Sequence, residues 1–218
     1  TRPSPRSITN NAMADADDTP SPHDAQLANV YTTLKTISRF PFSESHPPES
    51  DVIIKHLFES HRSLFYDPPY HGDHSDLILN EVCMEKQVQF FVALTLNTHR
   101  KTLRIYVYSE NIAKARAWKK MYSEYIHEIM ETDPTFVVES AKSSVMGMQF
   151  TLTGGQTVIV QARPMNTKSC RGDNPDALVY TDAEKITPAF MGLFVLPGMQ
   201  VAGRAHTLCL GGSVEAPE

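Results

Sequence analysis

The chain is poor in cysteine, in excess basic charge and in long apolar runs, and each shortage removes a class of function. Its three cysteines, Cys83, Cys170 and Cys209, are far apart, odd in number and form no CxxC pair. That argues against a disulfide framework and a cysteine-based zinc site, and it fits a reducing compartment. A net charge of -5 leaves no global basic signature for nucleic acid, although one face could still be basic. No apolar run reaches the length of a membrane span, and the first residues lack the pattern of a signal peptide. There is no internal repeat, and no low-complexity block beyond the first two dozen residues.

What remains is a globular composition, 41% hydrophobic and 21% charged, in 218 residues. That is enough for one α/β domain with an extension. The chain begins at Thr1 without Met and stops at Glu218 soon after an apolar strand pattern, which reads as a fragment or a processed product. Residues 1–24 are rich in Pro, Ser, Asn, Asp and Ala and carry too little apolar surface to offset ordering, so they read as a flexible tail. Residues 25–75 read as a helical extension. Leu27, Val30, Leu34 and Ile37 recur at helical spacing over 25–40, and a second helix is predicted over 51–58 with Ser50 or Asp51 as its cap.

From residue 76 to 218 the pattern alternates. Strands are predicted over 76–82, 103–108, 136–138, 147–152, 157–162 and 205–210, and Gly154-Gly155 marks a hairpin turn. Helices are predicted over 85–97 and 111–131, the second presenting Ala113, Ala117, Met121, Tyr125 and Ile129 on one face. Another helix starts at Thr187-Pro188, with Thr187 as cap and Pro188 in the first turn. Strands alternating with helices imply a three-layer α/β fold, a mostly parallel sheet covered on both faces.

The most informative stretch runs from Arg171 to Glu184. A polar turn with Gly172 and Pro175 leads into four apolar residues, Ala177 to Tyr180, and then to Asp182. This is the pattern of a buried parallel strand delivering an acid to the carboxyl edge of a sheet, where open α/β sheets hold ligands. In nucleotide hydrolases a carboxylate there holds magnesium or orients the attacking water. The plainer alternative is a core strand followed by a solvated, acidic helix start.

That order of elements, with Ser169-Cys170-Arg171-Gly172, then Asp176 to Ala183, and later Leu210-Gly211-Gly212-Ser213, resembles the ATPase domain of the large terminase subunit. This is the motor that packages DNA into tailed-phage and herpesvirus capsids. The resemblance covers about residues 76–218 and implies a P-loop-NTPase-like fold. It further implies ATP and Mg2+ as cofactors if the chain is active and none otherwise, with DNA and other packaging or capsid proteins as partners. A homo-oligomer without membrane attachment is implied too, in the host nucleus, in the cytoplasm or in a virion. Nothing in the chain resembles the family's C-terminal nuclease domain.

The resemblance also assigns residues. The phosphate loop falls at 81–87, where Lys86 matches the family lysine, Glu85 replaces a glycine and Gln87 replaces the magnesium-binding hydroxyl. A Glu there repels phosphate and Gln is a poor magnesium ligand, so the segment also reads as an ordinary helix start with an acidic first turn. Arg171 belongs to the segment before the acid strand. At that strand's end, Thr181 takes the place of the magnesium acid and Asp182 that of the catalytic Glu. In the other register Asp182 holds magnesium and Glu184 activates water, although Ala183 between them would turn the two to opposite faces if the strand continued. Ser213 takes the place of the residue coupling hydrolysis to DNA movement, or ends a strand in a plain turn. Both a weakened ATPase and a nucleotide-free pseudo-ATPase platform remain open. The acid strand is expected inside the sheet, beside the strand over 76–82.

Three other features stand apart. His71-Gly72-Asp73-His74, with Asp67, has a metal-like composition but reads as a solvated loop, so no metal ligand is assigned. Arg171-Gly172-Asp173 matches an integrin tripeptide by coincidence. Lys114, Arg116, Lys119 and Lys120 form a basic run on a helix, either a solvated face or a contact for DNA phosphates.

Overall fold

Alternating apolar residues build the centre of a seven-stranded sheet. The computed structural model describes residues 20–37, 54–55, 57–59, 61, 64–65, 78–80, 84–166, 168, 170, 175–182, 185–199 and 205–209. Its strands are β1 (Ile78–Asn80), β2 (Thr102–Ser109), β3 (Val138–Ser143), β4 (Gly147–Leu152), β5 (Thr157–Pro164), β6 (Ala177–Tyr180) and β7 (Ala205–Cys209). They lie in the order β1-β7-β6-β2-β5-β4-β3. The first five are parallel, while β4 and β3 run antiparallel.

Successive residues point to opposite faces, and β2 and β6 are covered on both. Ile105, Val107, Ala177 and Val179 join the larger core, whereas Tyr106, Tyr108, Leu178 and Tyr180 join a smaller, aromatic one. Burial on both sides is why β6 reads as an unbroken apolar run. As expected it lies inside the sheet and parallel to its neighbours. Those neighbours are β2 and β7, however, and not β1. β7 inserts between β1 and β6, pairing Thr207 with Ile78 and with Val179.

The helices of the described residues include α1 (Pro22–Thr36), α2 (Met84–Asn97), α3 (Ile112–Thr132) and α4, which runs through Pro188–Phe190, a π-helical turn Met191–Val195 and Leu196–Met199. Ser21 caps α1 by accepting from the Asp24 amide, and Pro22 opens it, so the helix begins and ends earlier than the apolar spacing suggested. Residues 54, 55, 57–59 and 61 are helical as well. In α2 every residue from Gln87 to Thr95 is buried, and α1 and α3 both pack against the helix. Asn111 caps α3 by accepting from the Ala113 amide at 3.0 Å. The buried face of α3 is rotated from the expected one. Ala113 and Ala117 are exposed, whereas Ala115, Trp118, Tyr122, Tyr125, Ile126 and Ile129 are buried. The rings of Trp118 and Tyr122 stack with centroids 5.6 Å apart and remove far more apolar area from water than the alanines would.

β3 begins where the predicted strand ended, because residues 133–136 close a turn in which Asp133 accepts from the Thr135 amide and hydroxyl. Between β4 and β5, Gly154 and Gly155 take φ of 95° and 83°, the left-handed region that favours glycine. Thr187 caps α4 by accepting from the Phe190 amide at 3.2 Å. Phe190 and Val195 press α4 onto the Tyr106, Tyr108 and Tyr180 face, making the third layer. Among the described residues no helix is long and apolar enough to cross a membrane.

Candidate functional site

The connections around β2 and β6 leave in opposite directions. From β2 the chain passes through α3 and the β3–β4 hairpin to β5, while from β6 it passes through α4, on the other face, to β7. The carboxyl ends of β2 and β6 therefore flank a topological switch point, the place where open α/β sheets form their ligand crevice. Four side chains converge there: Ser109 at the end of β2, Lys114 in the first turn of α3, and Thr181 and Asp182 just past β6.

Asp182 is the hub and is only 2% exposed. Lys114 Nζ donates to its Oδ1 at 2.5 Å, and Oδ2 accepts from the Ser109 hydroxyl and, at 3.2 Å, from Thr181 Oγ1. The backbone locks the same corner. The Thr181 amide donates to Tyr108 O, the Lys185 amide to Asp182 O, and the Met165 amide to Ser109 O. Burial pushes the Asp182 carboxyl up, but the Lys114 ammonium and the two hydroxyls outweigh it and hold the group below the ordinary carboxylate value. Asp182 is thus an ionised, internally paired acid. Both of its oxygens already accept hydrogen bonds from the protein, which leaves it poorly placed to take a proton from water.

The first turn of α2, where the phosphate loop was expected, behaves differently. The Glu85 carboxylate accepts from Tyr125 Oη of α3 at 2.9 Å, while Gln89 Nε2 donates to the same Tyr125 oxygen at 2.6 Å. Glu85 therefore ties α2 to α3, and as an acid in a first turn it also complements the helix dipole. Lys86 is half-buried. Gln87 is fully buried, and neither its Nε2 nor its Oε1 has a hydrogen-bond partner. Neither Lys86 nor Gln87 is a partner of Asp182. β7 separates β1 from β6, so the two strand ends lie about 10 Å apart.

Of the residues singled out in the sequence, Asp182, Lys86 and Gln87 are therefore placed, all toward the carboxyl edge but not in mutual contact. Arg171, Glu184 and Ser213 lie outside the described residues, as does the segment from Asp67 to His74. The pairing of Ser109 and Lys114 with Asp182 was missed. Its local signals are a hydroxyl at the end of a strand and a lysine in the first turn of the next helix, hidden in what reads as a basic face. Lys114 and Lys119 of that face are spent inside the molecule, while Arg116 and Lys120 stay exposed. Besides Lys114, Lys119 is buried and donates to Ser144 O, Arg116 Nε reaches Met146 Sδ at 3.4 Å, and Lys120 pairs with Glu124 at 3.8 Å.

Magnesium does not fit the described residues. It requires six oxygens in near-octahedral order, normally including one or two carboxylates. The single carboxylate here is already satisfied by an ammonium and two hydroxyls, and the amide of Gln87 lies two strands away. Among the described residues no group of three or more His, Cys, Asp or Glu could hold a metal ion.

No protein-family profile matches the sequence, and no curated protein sequence matches it. Solved structures do resemble it. The HK97 bacteriophage large terminase superposes with a TM-score of 0.54 at 9% identity, over 84% of this chain and 37% of that one. The large terminase of a thermophilic bacteriophage in complex with ADP gives 0.47 at 10% identity, over 71% of this chain and 38% of that one. A mutant of a Thermus phage large terminase ATPase domain gives 0.48 at 10% identity, over 71% and 70%. This chain thus spans under two fifths of the first two proteins' lengths. The HK97 likeness is one of fold: the chain shares a three-layer α/β architecture with a mostly parallel sheet.

Proposed function

We propose that this chain is a terminase large-subunit ATPase-like module of a viral DNA-packaging assembly in which ATP hydrolysis is weak or lost. The fold and the order of the motif-bearing segments support the first half of that reading. A single observation carries the second half. The acid that should orient water is clamped by Lys114, Ser109 and Thr181. Phosphoryl transfer depends on a divalent ion to neutralise developing charge, and the positions at Gln87 and Thr181 offer that ion no carboxylate. Residues 25–75 act as an extension of the 76–218 module. DNA, other packaging or capsid proteins and further copies of the chain are the partners of this reading, inside an infected cell or a virion.

The clamp on Asp182 also favours one form of the proposal over the other. A domain that keeps the fold while its acid is internally satisfied serves as a platform in a motor or virion, and no longer as a catalyst. Titration of the purified chain with ATP and Mg2+ tests this directly. Binding is expected to be weak or absent, and turnover at least about a hundredfold below that of an intact motor. Tight binding and turnover that Lys86→Ala abolishes would establish a working ATPase instead. A triple variant, Glu85→Gly with Gln87→Thr and Thr181→Asp, that alone gains binding would mark the loop as a degenerate phosphate cradle.

A further inference from the structure

The misfit between this edge and a divalent ion has a specific cause. We propose that the Lys114 ammonium is the resident cation of the β2–β6 crevice and that it keeps divalent cations off Asp182. The inference rests on the reading that this edge corresponds to a nucleotide site, and it adds what has taken the metal's place there.

The charges and the oxygens both argue for it. Asp182 contributes one negative charge and Lys114 one positive charge, so the pair is neutral without any ion. Lys114 Nζ donates to Oδ1, and the carboxylate's other oxygen is held by Ser109 and Thr181. An incoming divalent ion would have to displace the ammonium or sit beside it against its repulsion. Take Lys114 away and the remaining set changes character. One ionised carboxylate and two hydroxyl oxygens would then be left where the lysine side chain, 33% exposed, now lies between them and water. Hard oxygen ligands with access to water are what Mg2+ and Mn2+ accept, keeping several waters of their own.

The experiment uses the full chain without nucleotide and Mn2+ as the probe, followed by the electron paramagnetic resonance of the free ion. The unmodified chain is expected to bind no Mn2+ at this edge. Lys114→Ala and Lys114→Met are each expected to gain one Mn2+ per chain, at least about tenfold tighter than any binding by the unmodified chain. Adding Asp182→Asn to either should remove that gain. A folded Lys114 variant that gains nothing overturns the proposal. So does Mn2+ binding by the unmodified chain that Asp182→Asn abolishes.

If neither Lys114 variant folds, amide spectra of the unmodified chain decide. Mn2+ broadening confined to residues 109–114 and 181–182 overturns the proposal, and sharp signals there support it. ATP turnover by the unmodified chain would sink the non-catalytic reading. Metal bound without nucleotide would sink only the role of Lys114.

Discussion

The start of α2 and the end of β6 lie toward the same edge of the sheet, two strands apart, and they treat buried polar atoms in opposite ways. At β6 a charged side chain, Asp182, is buried with both oxygens hydrogen-bonded. At α2 a neutral side chain, Gln87, is buried with neither end hydrogen-bonded. The difference separates a clamp from a flaw. Four groups that satisfy one another fix the geometry of β2, α3 and β6, whereas an orphaned amide costs stability and returns nothing to the fold. The neighbouring Gln89 shows what Gln87 lacks, because its amide donates to Tyr125 Oη.

The largest expected effect comes from cutting the clamp on its cationic side. Lys114→Ala leaves an ionised carboxylate buried with two hydroxyls and no counter-charge, and should lower unfolding stability by about 3 kcal/mol in urea titration. Asp182→Asn should cost less, about 1–2 kcal/mol, because the amide can still accept from Ser109 and the lysine can turn toward water. In the double variant the two losses should fall well short of additive. Additive losses would mean that the two side chains stabilise the fold independently.

Gln87 should respond in the other direction. Gln87→Met keeps the volume and removes two unpaired polar atoms, so it should raise stability by about 1–2 kcal/mol. Gln89→Met should lower it by about 1 kcal/mol by stripping Tyr125 of a donor. Equal effects at the two positions would erase the contrast between paired and unpaired amides.

The smallest effect is a pH slope. The folded-state value of Asp182 lies below that of an unfolded carboxylate. Its stabilisation is therefore fully present above the ordinary carboxylate range, near pH 4, and is lost as pH falls through the lower folded value. Below about pH 4 the unmodified chain should lose stability more steeply than Asp182→Asn. Parallel curves would show that the clamp contributes no ionic stabilisation.

Much of the local structure could be read directly from short-range pattern. Ala177 to Tyr180 announced a strand buried on both faces, Gly154-Gly155 a turn in the left-handed region, and Thr187-Pro188 a capped helix start. Each is set by residues a few positions apart, through backbone sterics, capping and the alternation of a strand. The same logic held only in part on α3: Tyr125 and Ile129 are buried as expected, but Ala113 and Ala117 are exposed and the larger Trp118 and Tyr122 rings take the interior.

What local pattern leaves open is which strand ends meet. Sequence alone determined that an acid stands at the end of a strand buried on both faces. Only the tertiary structure decided that β7 enters between β1 and β6, and that Lys114, 68 positions away, closes on Asp182. Sheet order is fixed by long-range pairing and by burial on the two faces. A lysine in a basic run looks solvated until that order brings it to a carboxylate shielded from water.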